Sequence, residues 1–199
     1  MRRFALRYAV LVAALSLSAS LAACANNHPP AENLPPLSFA DKPPIVLDVA
    51  RIEIVSKYQA PSTPPHIELG LPVTPENAFR KWVQDRLQPR GATGTMRVVI
   101  NNAAATETTL PQDNASMFNN QPQTKVDMTL DVSLEMLDDR QFVTADVSGH
   151  ASRSETLFTD LKLSQRDRIL YDMAAKVTNA VGDELAPRVL TTFHNKVMN

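Results

Sequence analysis

The sequence predicts a two-layer α/β (α+β) sandwich: a four-stranded, mainly antiparallel sheet with two helices on one face, in the order βαβββα. Three observations carry this. Val126, Met128, Leu130, Val132, Leu134 and Met136 alternate with Lys125, Asp127, Thr129, Asp131, Ser133 and Glu135. That is the period of a strand with one dry and one wet face. Two stretches, 74–87 and 164–185, repeat apolar residues at helical spacing. Ten of the fifteen prolines fall in 25–44 and 59–72 and mark connecting segments.

In chain order, strand one is expected over Ile45–Val55, with Ala50, Ile52 and Ile54 on one face and Arg51 and Glu53 on the other. Residues 59–72 form an irregular crossing segment. Thr74 suits an N-cap, Pro75 the first helical position and Glu76 the first turn. Phe79, Trp82, Val83 and Leu87 then form the buried stripe, and Pro89 and Gly91 stop the helix. In strand two, Met96, Val98 and Ile100 alternate with Arg97 and Val99, continuing through Ala105 to Leu110 after a break at Asn101–Asn102. Residues 111–123 are a polar loop, strand three is the 125–136 run, and Asp138–Asp139–Arg140 is a turn.

Strand four spans Gln141 to Glu155, with Val143, Ala145, Val147 and Ala151 inward and Gly149 where a helix packs close. Ser164 reads as an N-cap with Asp167 three residues on. Ile169, Leu170, Met173, Ala174, Val177, Val181 and Leu185 form the second stripe. Pro187 kinks or ends that helix, and Val189, Leu190, Phe193 and Val197 continue its pattern. Strands two to four are expected as antiparallel neighbours. Strand one, after its helical crossover, is expected to pair in parallel.

The N-terminus is an address. Arg2, Arg3 and Arg7 precede an uncharged run from Tyr8 to Leu21, too short to span a bilayer, which needs ~20 apolar residues. Residues 1–23 are therefore a signal peptide, 24–44 a modified N-terminus and proline-rich tether, and 45–199 one domain. The run ends in Leu21-Ala22-Ala23-Cys24. This resembles the bacterial lipobox, and the resemblance implies that Cys24 is acylated, with chains such as palmitate, and becomes the new N-terminus. Cys24 is the sole cysteine, so an intramolecular disulfide is excluded. Without residues 1–23 the chain has 17 basic and 21 acidic residues, a net of −4. Neither nucleic acid nor an anionic surface is attracted by such a balance.

The residues offer little chemistry. There is no Gly-x-Ser-x-Gly and no Walker or dinucleotide motif. Asp146, Ser148 and His150 share the wet face of strand four, roughly 7 Å apart in turn, too far for a proton relay. His28, His66, His150 and His194 lack ligand spacing, so no metal or other cofactor is expected. Trp82 reads as a core anchor, or as the wall of a groove between helix and sheet. Met117 and Phe118, apolar within the polar loop, are candidate contact residues.

Together, the Leu21–Cys24 motif, the tether and the βαβββα domain resemble small Gram-negative outer-membrane lipoproteins. These include the lipopolysaccharide-assembly lipoprotein LptE, the YajG-like lipoproteins and the ABC-transport auxiliary lipoproteins. The resemblance is of architecture, and Cys24 alone carries over by residue. It implies a lipid-anchored domain facing the periplasm, not an enzyme, that docks on an envelope transport or assembly complex. Ala25, in place of the Asp that retains enterobacterial lipoproteins in the inner membrane, points to the outer membrane. An open sheet edge would suit a partner strand. A lipid carrier, a purely structural lipoprotein and an envelope hydrolase are the alternative readings.

Overall fold

The computed structural model describes residues 34–111 and 122–198. Leu21, Ala22, Ala23, Cys24, Met117 and Phe118 lie outside them. The architecture is the expected α+β sandwich, with five strands in the main sheet rather than four and a second, two-stranded sheet beside it. The strands are β1 (Ile45–Leu47), β2 (Arg51–Ser56), β3 (Leu87–Pro89), β4 (Thr95–Asn102), β5 (Ala105–Thr109), β6 (Gln123–Leu137) and β7 (Val143–Phe158). The helices are α1 (Pro75–Arg86) and α2 (Leu163–Thr192).

The central strand is β6. It pairs antiparallel with β7 along its whole length, and on its other side with β4 and then β5. Its six dry-face residues, Val126 to Met136, are all buried. The extra strand arises because the 95–109 run breaks at Ala103–Ala104. Two asparagines, poor strand formers, end β4, with a register shift between Ile100 and Asn102, and beyond them Thr129 N donates to Ala104 O at 2.9 Å. Strand β2 joins β4 in parallel through the α1 crossover, as expected.

The expected first strand is two strands. Residues Ile45–Leu47 pair with β3, while Arg51–Ser56 pair with β4, so the chain changes sheet at Asp48–Ala50. Gly91 makes this possible, because a Cβ there would lie 2.4–2.5 Å from Asp48 and the Val49 nitrogen. Pairing with β1 also ends α1 at Arg86, before Pro89, and places Leu87 in β3. On the other side of β1, Asp48 N donates to Lys196 O (2.7 Å) and Met198 N to Val46 O (3.0 Å). Val197 is thus bridged to Leu47 rather than helical.

Both helices lie where the stripes predict. Thr74 Oγ1 accepts from Asn77 N at 3.0 Å. Trp82 is 3% exposed, stacks on Phe79 at 5.4 Å and sits on Gly182 of α2, where a Cβ would meet its Nε1 at 2.2 Å. It is a core anchor between the helices. Gly149 plays the matching role on the sheet, where a Cβ would lie 2.9 Å from Leu185 Cγ. The N-cap of α2 is Lys162, not Ser164, because the Gln165 side chain reaches back to Lys162 N (3.3 Å). The helix runs through Pro187. Leu190 and Val143, expected inside, are exposed, the latter beside a register shift between Met136 and Leu137.

Residues 35–42, assigned from proline content to the tether, lie on the domain as a strap. Tyr171 Oη donates to Pro35 O (2.7 Å), Phe39 N to Asp85 Oδ2 (2.9 Å), and Lys42 pairs with Asp183. Phe39 is buried in the core.

Leu130→Asp would place an unpaired charge in the dry layer, costing several kcal/mol. Its thermal unfolding transition, followed by circular dichroism, should be lost. Thr129→Lys, on the wet face, should melt as the parent does, within about 0.5 kcal/mol.

Candidate functional site

Three places gather polar or apolar groups beyond what the core requires. The first is in the crossing segment. Glu68, in a single 3₁₀ turn over Glu68–Gly70, is 2% exposed. Its Oε1 accepts from Ala105 N at 2.9 Å and from Tyr58 Oη, and lies 3.0 Å from His66 Nδ1. Burial alone would raise its pKa. The Tyr58 hydroxyl, the Ala105 amide and the His66 ring together outweigh burial and hold it below the usual carboxylate value. Burial, followed by the hydrogen bond to Glu68 and its charge, pushes the Tyr58 phenol strongly up. Glu68 Oε2 has no protein partner.

This carboxylate is a pin. Ile67 N donates to Ala105 O (3.0 Å) and Glu107 N to Pro65 O (2.8 Å), so the segment lies along the outer edge of β5, with Glu68 locking it there. Sequence reading missed Glu68. The available signal was an acid flanked by a histidine two residues before and a tyrosine ten before, in a stretch otherwise dominated by proline.

The second place adjoins the first. A pocket of about 330 Å³ opens between the crossing segment and the start of α2, lined by Ile67, Leu69, Leu71, Leu163, Leu170 and Arg166 among others. Arg166 is held by Glu107 at 2.6 Å. Leu69 and Leu163 are each 73% exposed. Trp82, the candidate groove wall, is not at this pocket.

The third place is the outer edge of β7. His150 meets Asp131 across the strands, a pair set by the β6–β7 register and invisible to spacing rules. The His150 ring is largely exposed. From α2, Glu184 accepts from His150 N (3.0 Å) and Arg188 donates to Ser148 O (2.7 Å), while the two side chains pair at 2.8 Å. This ion pair occupies edge groups that a partner strand would need. Further along, Arg153 and Glu155 stand at positions of inward parity on the same strand, another device that blunts an edge. Among the described residues, no group of three or more His, Cys, Asp or Glu could hold a metal ion. No helix among them is long and apolar enough to cross a membrane.

Glu68→Gln should cost about 1–3 kcal/mol at neutral pH, as expected for disturbing a buried, charged hydrogen-bond acceptor. Because the folded pKa of Glu68 is depressed, its contribution is complete above the unfolded carboxylate pKa and is lost as pH falls through the folded value. Urea melts of the two proteins should therefore converge on acidification. Replacing Glu184 and Arg188 together by alanine should change stability by less than about 1 kcal/mol. It should also produce concentration-dependent self-association in sedimentation velocity.

No family model and no curated protein sequence matches the chain. Among solved structures, the chain is similar to the rare lipoprotein B of Shewanella oneidensis at 5% identity, covering 70% of this chain and 96% of that one, with a TM-score of 0.40. It is similar to a minor lipoprotein of Acinetobacter baumannii at 8% identity, covering 69% and 93%, with a TM-score of 0.38. A putative neuraminyllactose-binding hemagglutinin homolog of Helicobacter pylori matches at 6% identity, 77% and 92% coverage and a TM-score of 0.41.

Proposed function

We propose that this chain is a lipid-anchored periplasmic protein of the outer membrane, serving as a non-catalytic adaptor or accessory subunit of an envelope transport or assembly complex. One observation carries the reading: the sole cysteine stands directly after Leu21-Ala22-Ala23, behind a basic, then apolar, leader. Acyl chains at Cys24 would supply the attachment that a net charge of −4 does not, since each buried CH₂ contributes ~0.8 kcal/mol.

The polar groups of the domain support a binding role over a catalytic one. Glu68, the most buried carboxylate, is committed to three donors that fasten a loop. His150 is spent on Asp131 at an exposed strand edge, with no nucleophile bonded to it. A second reading, a lipid carrier, draws on the pocket beside Leu69 and Leu163, whose volume is at the low end for ligand sites. Phospholipid co-purifying in stoichiometric amount with the protein, seen by mass spectrometry, would favour it.

The adaptor reading is tested by in-cell crosslinking and affinity purification of the full-length protein, with Cys24→Ser as the unanchored control. The expected result is recovery of a transporter, lipid-shuttle or barrel component that disappears in the control. Recovery of bulk lipoproteins and lipid alone would sink the adaptor role.

A further inference from the structure

One end of the sandwich is more apolar than its surroundings require. At the start of α2, Leu69 and Leu163 stand on either side of one pocket, each 73% exposed. Phe158, five residues before Leu163, is 42% exposed. Single exposed leucines are ordinary. Two such leucines flanking one pocket form a patch, and the course of the strap says what lies near it.

The strap runs along α2. Lys42 is at Asp183 and Pro35 is at Tyr171, a step of about 18 Å toward the helix N-terminus. Followed back from Lys42 to Pro35, the chain heads for the end bearing Leu69 and Leu163. From Tyr171 to Leu163 is a further ~12 Å. From Pro35 back to Cys24 the chain reaches at most about 40 Å.

The competing apolar end is the β6–β7 hairpin tip, with Phe142 66% exposed. It lies about 45 Å away along β6, so the anchor would have to run back along the whole domain to bring it to a membrane. Charge does not choose between the two ends. The chain beyond residue 23 is net negative, and Arg166 at the leucine end is already paired with Glu107.

We propose that the Leu69–Leu163 end rests on the lipid surface that holds the anchor, with both leucines entering the boundary between headgroups and acyl chains. This rests on Cys24 being acylated. It adds an orientation to the proposed function: the hairpin tip and the Glu184–Arg188 edge face away from or along the membrane, toward any partner.

The test uses the full-length lipidated protein in vesicles of phosphatidylethanolamine and phosphatidylglycerol. Acylation consumes the Cys24 thiol, so Leu69→Cys, Leu163→Cys and Phe142→Cys each provide a single site for a polarity-sensitive dye. All three positions are exposed, and circular dichroism melts matching the parent confirm folding. Dyes at 69 and 163 should shift to the blue and be quenched several-fold more by nitroxide-bearing lipid than the dye at 142. High salt should leave the difference unchanged. Equal quenching at the three sites, or stronger quenching at 142, overturns the proposal. So does protection of 69 and 163 by a protein partner but not by vesicles. Flotation separates the two levels: protein that floats without quenching at 69 and 163 refutes the orientation alone. Protein that stays in the aqueous phase with no acyl mass on Cys24 refutes the anchor and the orientation with it.

Discussion

The structure depends on a single strand kept in register. β6 has neighbours on both sides along nearly its whole length, and its alternate side chains form the floor on which both helices pack. A slip of one residue would send Val126, Met128, Leu130, Val132, Leu134 and Met136 to the wet face. Each of those side chains contributes roughly 1.5–3 kcal/mol by burial, so the correct register wins by a wide margin. Cross-strand pairs on the other face agree with it: Arg97 with Glu135 at 3.3 Å, Asn101 with Ser133 at 2.6 Å, and Asp127 with Ser154.

With the centre so firmly set, the edges decide what the domain can bind. The β5 edge is covered by Pro65–Ile67, held by Glu68. The β7 edge is interrupted by Glu184 and Arg188 at its middle, and Arg153 and Glu155 stand further along. The β2 edge is six residues long and carries Arg51 and Glu53. Strand addition, the partner mode that an open sheet suggests, therefore meets an obstacle on each edge. Contact through side chains on the ends and the wet face meets none of these.

The parts legible in the sequence were those governed by neighbours in the chain. The 125–136 alternation, the Thr74–Pro75 start of α1 and the helix contact at Gly149 each follow from a local pattern, and the structure has all three. What escaped was set by distant segments. The break at Asp48–Ala50 exists because β1 pairs with Leu87–Pro89 on one side and with Lys196–Met198 on the other. No pattern within 45–55 encodes that. His150 finds Asp131 only through the hairpin register. Glu68 is buried by the path of a proline-rich segment, in which exposure would be the default expectation for an acid. Proline content likewise hid the strap. Proline disfavours helix interiors and inner strands, yet leaves a segment free to lie extended on a surface, and Phe39 uses that freedom to reach the core.

The strap limits what the proposed anchor could do. A tether of residues 25–44 would span ~60 Å if extended, enough for a domain to search widely above a membrane. With residues 35–42 bound to α1 and α2, the stretch from Cys24 to the strap could reach only about half as far even if fully extended. If Cys24 carries the proposed acyl chains, a domain held this close would stay at high effective concentration beside the lipid surface and beside anything embedded there. Each exposed leucine would then need to contribute little to bias its orientation, because such an anchor would already have removed most of the freedom that docking must overcome. A net charge of −4 beyond residue 23 is compatible with this proposed arrangement, in which geometry, rather than long-range charge, would select which end meets the membrane and which end is offered to a partner.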